Sequence, residues 1–250
     1  MLKKIFIVSI ILLTTSCKTT NKLELTNAED TFKEGLMLFN KKNYTEALSF
    51  FDMIKLQYPG SNIADKALYY TAEINFIRQE YILASFNYNR VRTNFPGSEY
   101  AKISAYKAGL SLFNISPSYH KDQEHTIKAI KTLQEFQYVY PDKEDSLYKK
   151  TDSMIIKCRS KLAEKDFRIA ELYKKLESPR SALIYYESVL KSYDDTEFYE
   201  EAFVGKIEML YWMKRNDEAI NTELTYNVVF PAGRLLKNIE DIKTKYSLGK

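Results

Sequence analysis

Two large rings flanking a small residue return at a constant step of 37 residues: Phe32-Gly35-Phe39, Tyr69-Ala72-Phe76 and Tyr106-Gly109-Phe113. Offsets of three and seven place all three members of each set on one face of an α-helix, and the small residue lets a second helix approach closely. A second pattern follows each set. An alanine is followed twelve residues later by a helix-ending position, in Ala47 to Pro59, Ala84 to Pro96, Ala129 to Pro141, Ala182 to Asp194 and Ala219 to Pro231. An aromatic residue precedes each end (Tyr58, Phe95, Tyr140, Tyr193, Phe230), and an apolar residue stands seven after each alanine (Ile54, Val91, Phe136, Val189, Tyr226). This predicts a helix with one buried stripe, stopped where proline cannot continue it. Such a two-helix unit cannot bury its apolar face alone, so units must stack on one another. Composition agrees: with only 7 Gly and 6 Pro in 250 residues there is too little turn chemistry for a sandwich or barrel, while 45 % apolar and 28 % charged residues suit a folded chain.

Weaker fourth and fifth copies of the ring pattern run Phe167-Ala170-Lys174 and Val204-Ile207-Tyr211. Units of this length with this alanine-to-proline spacing resemble tetratricopeptide repeats, and five of them cover about residues 28 to 231. The expected fold is all-α: a right-handed superhelical solenoid of about five tetratricopeptide-like helix pairs, closed by a C-terminal capping helix with Leu235, Ile239, Ile242 and Tyr246 on one side. Two irregularities break the step. Eight extra residues fall in a polar loop, 115–123, within repeat 3, and sixteen more lengthen repeat 4, where Ser146 to Glu177 contains no Gly or Pro and reads as one long helix.

The amino terminus is of another kind. Lys3 and Lys4 precede Ile5 to Leu13, which is apolar except for Ser9 and much shorter than the ~20 residues that span a bilayer. It reads as the apolar region of a secretory signal. Leu13-Thr14-Thr15-Ser16-Cys17 resembles the lipobox of bacterial lipoproteins, in which cleavage before the cysteine is accompanied by acylation of its thiol and new amino group, palmitate among the chains. Several acyl chains would suffice for stable membrane anchoring. The expected organisation is therefore residues 1–16 as signal peptide, 17–27 as lipidated tether, 28–145 as repeats 1 to 3, and 146–250 as repeats 4 and 5 with the cap. With Cys17 lipidated, Cys158 has no internal partner and reads as a buried structural thiol between Ile155 and Leu162.

No converging catalytic set is visible. GxxxxGK[ST] and GxGxxG motifs are absent, His120 and His125 are five apart where a helical metal pair needs four and read as solvated surface side chains, and Glu200 with Glu201 reads as a solvated face. The expectation is a protein that is not an enzyme and carries no cofactor or metal. A formal charge of +4 over 70 Lys, Arg, Asp and Glu gives no field suited to nucleic acid.

A lipobox followed by five such repeats resembles the BamD family, lipoproteins of the bacterial outer-membrane β-barrel assembly machine. The matching residues are Tyr44-Thr45-Glu46-Ala47 leading to Gln57-Tyr58-Pro59-Gly60-Ser61, then Phe95-Pro96-Gly97-Ser98-Glu99-Tyr100-Ala101, and the repeat-3 insertion with Asp122-Gln123, Thr126 and Ala129. The resemblance implies a non-enzymatic subunit, lipid-anchored to the outer membrane and facing the periplasm. Its partners would be a BamA-like barrel-assembling subunit, bound by the C-terminal repeats, and unfolded outer-membrane proteins, bound by the N-terminal ones. A peptidoglycan-associated scaffold for envelope or division proteins stays open as the alternative, and a solenoid cell-wall hydrolase would need a further catalytic domain. Phe32, Phe39, Tyr69, Phe76 and Phe113 are candidates for an aromatic substrate groove, or equally for core. Tyr211, Trp212, Arg215 and Arg234 are candidates for the partner interface, since Trp, Tyr and Arg dominate interface energies.

Overall fold

A computed structural model describes residues 27–247, and every regular element among them is an α-helix. The expected signal peptide and Cys17 lie outside the described residues. Helices α1 (Ala28–Asn40) and α2 (Tyr44–Gln57) form the first pair, α3 (Ala64–Ile77) and α4 (Tyr81–Asn94) the second, α5 (Ala101–Asn114) and α6 (Glu124–Val139) the third. The fourth pair is α7 (Ser146–Lys175) with α8 (Pro179–Ser192), and the fifth is α9 (Phe198–Trp212) with α10 (Asn216–Val229). Each helix packs on its neighbours in sequence, giving an all-helical solenoid of tetratricopeptide-like pairs. The last helix, α11 (Leu236–Ser247), departs from the series by docking on α9.

The sequence signature maps onto the packing position by position. Ala47, Ala84, Ala129, Ala182 and Ala219 are wholly buried, and so are Ile54, Val91, Val189 and Tyr226 seven residues on, with Phe136 almost so. The ring before each helix end is its cap: the N–H groups of Tyr58, Phe95, Tyr140, Tyr193 and Phe230 each donate to the carbonyl four residues back. Within pairs 1, 2, 4 and 5 the turn is the same in each. Lys42, Gln79, Glu177 and Lys214 take positive φ of 60°, 61°, 53° and 59°, and the next residue donates back to a carbonyl five positions earlier, as Asn43 does to Leu38. This closure normally uses glycine, because a Cβ is strained in the left-handed region. It also ends α7 at Lys175, two residues before the Glu177 expected from the Gly-free run.

The small residues have direct reasons. A Cβ on Gly35 would stand 2.8 Å from Phe51 Cε1, and one on Gly109 would stand 2.5 Å from Leu133 Cδ2, so both glycines seat the second helix of their own pair. In α9 the close approach falls on Gly205, whose added Cβ would collide with the Tyr186 ring of the preceding pair. Ile207, at the position equivalent to Gly35, is wholly buried against Phe203, Tyr226 and Ile239 instead. Cys158 is buried, and burial pushes its thiol up to about 11 against an opposing pull from Lys161.

Two readings of single residues are corrected. Glu200 is no solvated carboxylate: Tyr226 Oη, Arg234 Nε and the Leu235 N–H all donate to it, at 2.8, 2.9 and 3.3 Å. Burial alone would raise its carboxyl, but these donors hold it below the ordinary value. His125 is half-buried with Nδ1 unpartnered among the described residues, whereas His120 is exposed in the loop as expected.

Candidate functional site

The five ring candidates in the N-terminal repeats are all half-buried. Phe32 lies 5.8 Å from Phe51 and 5.7 Å from Tyr70, and Phe39 lies 5.0 Å from the same Tyr70. Tyr69 sits 4.3 Å from Tyr100, and Phe76 sits 5.3 Å from Tyr81 and 6.4 Å from Tyr88. Phe113 supports the Lys161 ammonium, 4.6 Å above its ring. The structure thus joins Phe32 and Phe39 through Tyr70, while Phe76 and Phe113 belong to separate pairs. Four of these rings pack against the cores of the first two pairs and stay partly exposed.

Sequence reasoning passed over the polar node behind them. Glu73, one residue beyond the small Ala72, accepts from Tyr88 Oη at 2.6 Å and pairs with Lys107 at 2.5 Å. Burial first, and then the Glu73 carboxylate, raises both Tyr69 and Tyr88 well above the ordinary phenol range. Glu171 repeats this position one residue beyond Ala170, where it accepts from Tyr186. The signal was present in the register of the repeat, because Glu73, Glu171 and Glu208 each follow the small-residue position directly.

At the other end, Tyr211 donates to Glu223 at 2.7 Å, and burial together with that carboxylate pushes its phenol up to about 12. Trp212 is half-buried on the core of the fourth pair. It lines a cleft of about 600 Å³ with Glu177, Pro179, Arg180, Met213 and Arg215. Arg215 is exposed, with both edges of its guanidinium on Glu218, at 2.6 and 2.5 Å. Arg234 bridges Glu200 and Glu201 at 2.9 and 3.0 Å, so it pins the chain after α10 back onto α9. The four C-terminal candidates therefore form no single patch: Tyr211 and Arg234 hold structure, while Trp212 and Arg215 share a cleft.

A further surface escaped the sequence reading. Ile220, Leu224 and Val228 on α10 are 48, 60 and 80 % exposed. Their spacing of four makes a continuous apolar stripe on one side of the helix, of the type that marks a docking surface. It stands free because α11 turns away to α9. Helix α11 buries Ile239 and Ile242 and is anchored by Lys245 to Glu208 of α9 at 3.1 Å and by Lys243 to Glu223, on α10 but off the stripe, at 2.9 Å.

Clefts, half-buried rings and an apolar stripe on stacked helix pairs define a helical-repeat protein. Among the described residues no three His, Cys, Asp or Glu come together as a metal-holding group, and no helix is long and apolar enough to cross a membrane. The chain belongs to the YfiO family of outer membrane lipoproteins, which matches residues 25–224, in keeping with the expected BamD resemblance. It is similar to the outer membrane protein assembly factor BamD of Rickettsia prowazekii (strain Madrid E), at 24 % identity over 84 % of this chain and 86 % of that one. The BamD of Caulobacter vibrioides is 23 % identical over 81 % of this chain and 66 % of its own, and that of Pasteurella multocida 22 % over 83 % of each. A thermophilic TPR protein of Thermus thermophilus aligns over 89 % of this chain and 98 % of its own, with 16 % identity and a TM-score of 0.37. That overlap is too loose to add to the fold read from the helices.

Proposed function

We propose that this chain is a lipid-anchored assembly factor for outer-membrane proteins. In this reading Cys17 carries the acyl chains, the repeats face the periplasm, and the protein works by binding rather than by catalysis. The C-terminal pairs dock the barrel-assembling subunit, and the ring row from Phe32 to Phe113 receives extended segments of unfolded barrel proteins along its outward edges. The family match over residues 25–224, from the first pair into α10, supports the general role.

The observation that carries the partner assignment is the unpartnered stripe on α10. Three aliphatic side chains at spacing four on the final pair give a partner an apolar seat that the chain's own last helix leaves open. Leu224→Asp combined with Val228→Asp tests it. Both side chains are exposed, so the fold is expected to stand while co-purification of the barrel-assembling subunit from detergent-solubilised envelope drops by at least about tenfold. Full recovery of that subunit with the double variant would refute the assignment. Release of a Cys17→Ser variant from washed membranes tests the anchor separately.

A further inference from the structure

The longest helix is also the most basic. α7 carries nine Lys and Arg against four Asp and Glu, so it holds +5 in a chain whose total is +4. Part of this charge is already engaged: Lys149 with Glu144 at 2.7 Å, Arg159 with Asp195 at 2.7 Å and Lys174 with Glu208 at 2.6 Å. Lys150, Lys157 and Lys165 have no carboxylate within 4.0 Å among the described residues, and Arg168 has only a 3.5 Å contact to Glu164. Lys150, Lys157, Lys161, Lys165 and Arg168 follow at intervals of seven, four, four and three, which lines them along one helix face.

Two clefts of about 350 Å³ each open beside that face. One places Tyr106 and Met154 next to Lys150 and Lys157; the other places Tyr119 and Leu172 next to Lys165 and Arg168. Between them Lys161 reaches the Ser116 carbonyl at 3.2 Å and its hydroxyl at 3.1 Å, tying the repeat-3 loop to the helix. That loop is held in place from within. Gln123, only 3 % exposed, donates to the carbonyls of Ser118 and Lys121 at 2.9 and 3.1 Å and accepts from Thr126 at 2.7 Å. The wall of the second cleft is therefore a built feature, and the insertion that broke the repeat step has a place in the surface.

We infer that this face of α7 docks an extended acidic polypeptide segment of a protein partner, with carboxylates on alternate residues. The geometry matches in the middle of the run, because four residues of helix advance ~6 Å and two residues of extended chain advance ~6.6 Å, so Lys157, Lys161 and Lys165 meet successive carboxylates while Lys150 and Arg168 extend the basic face at its ends. From Lys150 to Arg168 is ~27 Å, the reach of about eight extended residues. Tyr106 and Tyr119 seat aromatic or aliphatic residues at the flanks of the acidic run. The site is independent of the function proposed above and of the ring row, using Phe113 only as the support beneath Lys161.

The test is fluorescence anisotropy of a labelled decapeptide, Tyr-Glu-Ser-Glu-Ser-Glu-Ser-Glu-Ser-Tyr, added to the full chain in nonionic detergent. Lys157→Glu combined with Lys165→Glu should weaken binding at least about tenfold with an unchanged melting temperature, and binding should fall steeply as salt shortens the screening length. The Lys157→Arg, Lys165→Arg pair should retain affinity, and should the glutamate pair melt early, Lys157→Gln with Lys165→Gln reads the same loss without repulsion. Absence of binding, equal binding of the peptide with Gln for Glu, or unaltered affinity in the glutamine pair would overturn the inference. So would a face that ignores the peptide yet binds mixed micelles containing phosphatidylglycerol, which would make it a lipid contact.

Discussion

The first and last helix pairs solve the same packing problem with opposite chemistry. Four residues after the signature alanine, the first pair places Phe51 against Gly35, in a seam of rings with Phe32, Phe39 and Tyr70. The fifth pair has Glu223 at the corresponding position, buried and holding Tyr211 and Lys243. Glu208 beside it takes Lys174 and Lys245, and Glu200 takes Tyr226 and Arg234. The first pair can bury apolar rings because its successor, α3, covers them. The last pair has only a short helix over it, and carboxylates paired with long basic side chains close its edge while leaving the α10 stripe free. The polar end should therefore respond to acid and salt, and the apolar end to lost volume.

The largest expected effect lies at the apolar end. Phe51→Ala removes a wholly buried ring and should cost about 4 kcal/mol, read as a lower denaturant midpoint by circular dichroism. A loss under about 1 kcal/mol would mean that the neighbouring rings collapse into the space, and the two ends would then differ little in their response to lost volume. Gly205→Leu comes next at about 3 kcal/mol, since Tyr186 is fully buried and has nowhere to withdraw. The Gly109→Leu variant should fall at about 2 kcal/mol, because a leucine is easier to displace than a ring fixed by a hydrogen bond. Equal losses for the two glycines would remove that distinction.

Acid addresses the polar end. Glu208 is pushed up by burial and pulled down more strongly by Lys174 and Lys245, so its folded value lies below the ordinary 4.5, as does that of Glu200. A depressed folded value means that the stabilisation is complete above the unfolded value and is lost as pH falls through the folded one. Hydrogen exchange should therefore show α11 losing protection below about pH 4.5 while α1 to α4 remain protected. Simultaneous loss at both ends would sink the idea that carboxylates hold the cap. The smallest effect is a gain: Lys42→Gly relieves a left-handed φ of 60° and should add about 0.5 kcal/mol, with Lys214→Gly adding a similar amount at the far end.

The site was less legible than the fold. The ring triplets were visible because large residues at helical spacing stand out, but spacing alone does not say whether a ring faces a groove or a seam, and Tyr70 and Tyr100 decide that for Phe32, Phe39 and Tyr69. Arg234 looked like an interface residue from its type and position, while its two partners lie more than thirty residues upstream on α9. The α10 stripe was hidden for a related reason. Ile220, Leu224 and Val228 carry the same pattern as any buried helix face, and only the path of α11 leaves them open.

What the chain's own residues determined is the local grammar. Alanine, aromatic and proline at constant offsets set where helices begin, pack and stop, because these choices depend on backbone sterics and on side chains within one turn. The unbroken course of α7 from Ser146 and the position of the 115–123 loop were settled in the same way, by the absence or presence of breakers, while the left-handed turn at Glu177 set the helix end. Tertiary structure alone decided which carboxylates would be buried, which glycine would meet a ring from the neighbouring pair, and which of several similar apolar faces would remain uncovered. Those outcomes depend on residues brought together from separate helices, 19 positions apart for Gly205 and Tyr186 and 34 for Arg234 and Glu200, and on the desolvation of charges that sequence spacing does not measure.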